Sequence, residues 1–239
     1  RLYNDRSPFA PEIIEDIIKN ELGYEGNVVS AFDNMYSYPT DPNSWHYDFT
    51  INKKINSKKL IEEIASASPY IPRFNNMGDF VFDTIKKNYS SDEINDAQFI
   101  KESDVIDFSF SKTKIEDVYT SVEFKYNWDY AREEFSSIET TANSNMLAGM
   151  ISPYESAYQY SHGYYGFLDE DGNPTNEDST LVIDDHRGKY IRDEVTAKNF
   201  AEWMLYWHCN QHLKMKVKLP LSYLDVEIGQ LITFDTILG

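Results

Sequence analysis

Hydrophobic residues recur at two spacings along the chain, and the change between them divides it. Near the start Ile13, Ile14, Ile17, Ile18 and Leu22 form one stripe at helical spacing, which predicts a short helix over residues 9–23. Pro11 suits its first turn, Glu12, Glu15 and Asp16 suit its positive end, and Gly23 can close it. Residues 24–45 keep no period and carry Gly26, Pro39 and Pro42, which predicts a long loop. The stretch 45–51 reads as a strand. Asn56 or Ser57 then caps a helix to about residue 67, with Leu60, Ile61, Ile64 and Ala65 facing inward. Pro69 and Pro72 break the pattern, and residues 75–79 predict a turn into a strand over 80–85.

Beyond residue 100 the period becomes two. Ile106, Phe108 and Phe110 alternate with Asp107, Ser109 and Ser111. A longer alternation sets Thr120, Val122, Phe124, Tyr126, Trp128 and Tyr130 against Ser121, Glu123, Lys125, Asn127 and Asp129, predicting a sheet apolar on one face and wet on the other. Residues 136–180 are rich in Ser, Thr, Asn, Gly and Tyr and read as irregular, with a turn signal running from Asp169 to Pro174. Thr196 is expected to cap a helix to about residue 211, with Phe200, Ala201, Met204, Leu205 and His208 on one side. That helix feeds a strand over 213–219 in which Lys214, Lys216 and Lys218 share one face, and Pro220 ends it. A last strand pair brackets Gly229, with Leu224, Val226 and Ile228 before it and residues 231–234 after. No repeat of solenoid length is present.

The pattern therefore predicts an α+β chain, mainly antiparallel β, in three stretches. Residues 1–45 hold a helix and connecting loop, 46–100 a small α+β module, and 101–239 a larger β unit with an aromatic-rich insertion at about 136–180. Charge narrows the partners. Forty Asp and Glu against 22 Lys and Arg give a net charge of −18 over 239 residues, which disfavours a nucleic-acid binder or an anionic membrane as target. No apolar run reaches the 18 or so residues of a membrane span, so no membrane anchor is expected. With 41% hydrophobic and 15% aromatic residues the chain is expected to fold despite its charge. It opens on Arg1 and not on Met, and is expected to be a piece of something larger. A single cysteine, Cys209, leaves stability to packing or to partner subunits.

Candidate chemistry is sparse. His208 and His212 stand four apart beside Cys209, a spacing that can place two ligands on one metal, but a closed zinc site needs four and His162 and His186 are isolated. The acidic run from Asp169 to Asp178 has Pro174 where a calcium loop needs glycine, so it reads as a hairpin turn. Asp184, Asp185 and His186 are acid/base residue types without a nucleophile motif, and a solvated turn is the ordinary reading. No glycine-rich phosphate loop occurs, so no cofactor and no metal are expected. The aromatic alternation of 122–130 carries Glu123 and Asp129 where base-stacking sheets carry cations, which leaves core or subunit packing. The lysine row of 214–218 either meets an acidic partner strand or blunts a sheet edge.

Three segments in order resemble the tail-hub and tail-tip proteins of tailed bacteriophages. Residues 49–65 with 76–80 are similar to the helix-plus-hairpin module of that family. Residues 104–120 leading into 122–126 and 129–131 resemble the long strand of a tube-like β-barrel. Residues 201–207, 213–219 and 224–232 are similar to the helix and strands that close a hub barrel, although Gln230 follows Gly229 where the family usually has Asp. The resemblance implies a tube-like β-barrel with a packed helix and a small helix-and-hairpin module. It implies a structural and non-enzymatic ring subunit, most often a trimer, that joins tail tube to distal tip around the DNA channel.

Its partners would be copies of itself and other tail proteins, with DNA passing without specific binding, in a virion assembled in the host cytoplasm. A sheet wet on one face can build a ring with a polar lumen, and acidic side chains there would let DNA slide. The residues expected at interfaces or in structural roles are Phe124, Tyr126, Trp128, Tyr130, Trp203, Trp207, Lys214, Lys216, Lys218 and Gly229. Two alternatives stand beside this reading. One is a tail-associated peptidoglycan hydrolase, for which no paired carboxylates or Cys/His centre can be assembled from the sequence. The other is a host-surface carbohydrate-binding module using the tyrosine-rich stretch 154–165.

Overall fold

The computed structural model describes residues 9–29, 45–84, 89–114, 117–119, 121–142, 180–209 and 212–234. Helix α1 (Ala10–Asp16) starts where expected, with Pro11 in its first turn and the Glu12 carboxylate accepting the Phe9 N–H at 3.2 Å. It runs on as one π-helical turn (Ile17–Glu21), and Gly23 follows at φ +68°. Its apolar stripe is buried through Ile18, whereas Leu22 is exposed.

After β1 (Val28–Val29), helix α2 (Ser57–Ser66) is capped by the Asn56 side chain, which accepts the Lys59 N–H at 3.2 Å. Leu60, Ile64 and Ala65 face inward. Strands β2 (Tyr70–Phe74) and β3 (Phe80–Thr84) form an antiparallel hairpin, with β1 parallel on the far side of β3. The turn is held by Asn75, whose side chain accepts the N–H groups of Met77 and Asp79, and by Gly78 at φ +86°.

Two features here differ from the sequence expectation. Strand β2 contains Pro72, which reads as a breaker, because β2 is an edge strand among the described residues and an edge tolerates the missing donor. Residues 45–51 alternate in burial but join no sheet. Trp45 and Tyr47 are buried, the Tyr47 hydroxyl donates to the Ala67 carbonyl at 2.9 Å, and the Asp48 N–H donates to Tyr190 O. That segment is extended chain docked by side chains, not a strand.

Helix α3 (Ser91–Asn95) leads to β4 (Gln98–Ile100) and β5 (Asp107–Lys112). The long alternation forms β6 (Ser121–Asp129), the centre of a three-stranded sheet between antiparallel β7 (Glu134–Ala142) and parallel β8 (Thr180–Ile183). The start of the stretch expected to be irregular is thus strand β7, paired along most of its length with β6. Helix α4 (Glu194–His208) packs across this sheet. Its cap is Asp193 and not Thr196: the Asp193 carboxylate accepts both the N–H and the hydroxyl of Thr196, and the buried Thr196 oxygen accepts the His46 N–H at 2.8 Å.

Strand β9 (Leu213–Lys218) pairs with β5, and Pro220 ends it as expected. The expected strand over 224–228 is absent: a 3₁₀ turn (Leu221–Tyr223) and further turns occupy that stretch, leaving Leu224 and Ile228 exposed. Gly229 sits at φ +85°, and β10 (Ile232–Phe234) pairs in parallel with β4 instead of folding back as a hairpin.

The architecture is mixed α and β with few helices and four small sheets, none of which closes into a barrel among the described residues. One buried core draws on all three expected stretches: Ile14 of α1, Trp45, Ile64 of α2, Phe80, Phe124 of β6 and Phe200 of α4. No helix among the described residues is long and apolar enough to cross a membrane.

Candidate functional site

Residues expected at interfaces or in structural roles divide into three groups in the structure, with Gly229 apart. Phe124 and Tyr126 belong to the core under α4. Phe124 stacks on Tyr126 with ring centroids 6.0 Å apart and tilts against Phe200 at 4.6 Å. Burial, reinforced by the nearby carboxylates of Glu194 and Glu139, raises the Tyr126 phenol above its ordinary value.

Trp128, Tyr130 and Trp203 form the second group, half-buried at the border of the core. Trp128 meets the edge of Phe135 at 4.8 Å and carries the Lys189 ammonium 4.1 Å over its ring. The Tyr130 hydroxyl accepts the Thr50 N–H at 2.9 Å. A groove of about 530 Å³ opens here, where Lys53, Lys54, Lys59, Lys189 and one carboxylate, Glu133, join these two rings in the lining.

The third group lies in the open. Trp207 is exposed and stacks on His212 at 4.4 Å. Lys214, Lys216 and Lys218 project from β9, where they lie opposite Ser111, Ser109 and Asp107 of β5. The other face of this two-stranded ribbon sets Phe108 against Val217 and Phe110 against Met215. Phe108 is 40% exposed, Phe110 38% and Leu213 66%. A two-stranded ribbon with its apolar side in water is marginal by itself, and a contiguous exposed apolar patch marks an interaction surface.

Gly229 serves a turn. A Cβ there would lie 2.8 Å from the Asp83 carboxylate, so glycine lets the chain pass close to the β2–β3 hairpin. The same contact includes a clasp that sequence reading missed. Arg73 donates from Nε to Asp83 at 2.5 Å and from Nη1 to Glu227 at 2.8 Å, and Glu227 also accepts the Asn76 N–H at 2.7 Å. No local pattern signals it, because Arg73 and Glu227 are 154 positions apart.

The Asn76 backbone hydrogen bond, with Arg73, holds the Glu227 carboxyl below its ordinary value. Its folded value lies below the unfolded one, so the clasp stabilises the fold above the ordinary carboxylate range. That contribution is lost as pH falls through the lowered value. Protection of the amides in residues 221–231, measured against their intrinsic exchange rate at each pH, is expected to fall on acidification below about pH 4 in the native chain. In Glu227→Gln that protection is expected to be lower already at pH 7, with a flatter acid dependence. Equal exchange in the two proteins at pH 7 would exclude the clasp.

The acid/base candidates are engaged elsewhere. Asp184 pairs with Lys125 at 2.7 Å, and the His186 ring lies 3.0 Å from the Ser66 hydroxyl. Asp185 caps the 3₁₀ turn His186–Lys189 and forms a two-pronged pair with Arg187. Burial alone would raise the Asp185 carboxyl, but the Arg187 hydrogen bonds outweigh it and the net shift is downward. Burial pushes the Cys209 thiol up to about 11, away from thiolate reactivity. Burial, then the His212 and Arg187 charges, lowers His208. Among the described residues no group of three or more His, Cys, Asp or Glu could hold a metal ion. The acidic run 169–178, His162 and the tyrosine stretch 154–165 lie outside the described residues.

No protein-family model matches the chain, and no curated protein matches it. Among solved structures the chain has a weak likeness to the crystal structure of the tail protein from Neisseria meningitidis MC58. The TM-score is 0.36 and the identity 9%, over 92% of this chain and 69% of that one. At that similarity the likeness assigns neither family nor function.

Proposed function

We propose that the chain is a structural subunit of a bacteriophage tail, a hub or tip component that assembles with copies of itself and links the tail tube to the distal tip. The observation that carries this reading is the β5–β9 ribbon, one face of which presents Phe108 and Phe110 exposed with Met215 and Val217 half-buried, and the other a row of lysines. Such a surface gains by being covered. The tail context comes from the three segments that resemble hub and tip proteins in order. On this reading the tube-like barrel is completed by the ring of copies, three being the expected number, and other tail proteins are neighbours. DNA passes without specific binding, the chain resides in the virion after assembly in the host cytoplasm, and it has no catalytic part.

A host-surface glycan module is the second reading, favoured by the groove of lysines beside Trp128 and Tyr130, which suits an acidic sugar. An antibody against the chain, applied to purified particles of the phage that encodes it, is expected to label the tail at the hub or tip in negative-stain micrographs. Label on infected-cell lysate but none on particles would remove the tail reading. Label together with loss of adsorption in a Trp128→Ala phage would shift the role to the glycan module.

A further inference from the structure

We infer that the β5–β9 ribbon is the joint between copies: the outer edge of β5 in one copy pairs with the outer edge of β9 in the next, head to tail. This deepens, and rests on, the reading of the chain as a self-assembling subunit.

The geometry of the ribbon carries it. Six registered pairs, from Asp107 opposite Lys218 to Lys112 opposite Leu213, make a regular antiparallel ladder. Among the described residues no further strand joins either edge of that ladder. An open, regular edge is a template for another strand. The apolar face adds a reason to use it, since each added strand removes the flank of the Phe108 and Phe110 row from water.

Charge decides which edge meets which. On the polar face β9 carries Lys214, Lys216 and Lys218, while β5 carries Asp107, Ser109 and Ser111. Two-fold pairing of β9 with β9 would set two lysine rows side by side, and like charges directly opposite destabilise a sheet. Head-to-tail order places every lysine row between two Asp/Ser rows. It repeats between copies the pairing that β5 and β9 already make within one, including Phe108 with Val217 and Phe110 with Met215. A second copy is therefore the occupant whose edge is known to match. Repeating an antiparallel pair around an axis keeps each junction antiparallel, and where the rotation between copies closes, a head-to-tail contact makes a ring with no unpaired edge. The lysine row then meets a partner strand, and its like charge disfavours the β9–β9 pairing.

Mixed-copy disulfide trapping tests this. One preparation carries Ser109→Cys, and others carry Lys214→Cys, Lys216→Cys or Lys218→Cys, all at exposed positions. Thermal melts confirm that each folds like the native chain. Mild oxidation of a mixture is expected to link Ser109→Cys copies to copies of at least one lysine-position variant. The linked fraction should be at least tenfold above that of any variant oxidised alone. Each variant linking to itself as strongly as in the mixture would establish a two-fold edge and overturn the inference. No linkage, with light scattering still giving an oligomer for every variant, would move the joint elsewhere and leave self-assembly standing. A native chain that is monomeric by light scattering would end both this inference and the reading on which it rests.

Discussion

Gly188→Ala is expected to be the most damaging single-atom change in the described fold. A Cβ at that position would lie 2.0 Å from the Lys125 carbonyl oxygen and 2.9 Å from the Phe135 ring. The Phe135 side chain could give way, but the oxygen belongs to the backbone of β6, the central strand of its sheet. Relief therefore means moving β6 or lifting off the 3₁₀ turn that carries Gly188. That turn and the residues after it hold several contacts at once: the Asp185–Arg187 pair, Lys189 over Trp128, and the Tyr190 hydroxyl donating to Glu63. Overpacking usually costs about 1–3 kcal/mol, and with a backbone atom as the obstacle we expect about 3 kcal/mol or more. For a chain of this size that lowers Tm by roughly 6–12 °C. A melting temperature within about 2 °C of the native value would mean that the turn does not sit on β6 as described.

Phe124→Ala is expected to cost about 3–5 kcal/mol, a drop in Tm of roughly 6–20 °C. Phe124 is fully buried at the join of β6 and α4, with the Phe200 ring 4.6 Å away and also fully buried. Truncating it leaves a cavity between two stiff elements that cannot collapse far. The partner substitution Phe200→Ala should cost a similar amount, and the double variant less than the sum, because each empties space that the other ring fills. Strict additivity would place the two rings in independent environments. These two sites report on the folded body, whereas the ribbon variants report on assembly without disturbing it.

The elements legible in the sequence were those whose own periodicity reflects one-sided burial. The stripes of α1 and α2, the alternation of β6 and the alternation of β9 each follow from their own residues, and the structure places them within a few positions. Elements that depend on a distant partner were not legible. Strand β7 is Ser-, Thr- and Glu-rich, and it is ordered because it pairs along β6. Strand β2 hides behind Pro72, which is harmless only at an edge. Residues 45–51 have the alternation of a strand but find side-chain partners where a ladder would be. Leu224, Val226 and Ile228 alternate as well, yet Glu227 between them is drawn to Arg73 and the chain turns.

The candidate surface shows the same division. The richest aromatic row, on β6, is the one that points to an interface when counted along the sequence, but Phe124 and Tyr126 spend their apolar area on α4 of the same chain. The exposed row is the shorter one, with two phenylalanines on β5 opposite Met215 and Val217. Nothing local joins β5 to β9, because about a hundred residues separate them, so the amphipathic ribbon exists only once the chain has folded. The lysine row was visible from the start. What it faces became visible only with the register, which sets it against serines and one aspartate.

The most direct measurement of whether this chain is built to join copies is its mass in solution, by multi-angle light scattering across a hundredfold range of concentration at physiological salt. The account predicts one closed species whose mass is a fixed whole multiple of the single chain, with three copies expected, and the same multiple throughout the range. The mass of a single chain at every concentration would contradict it.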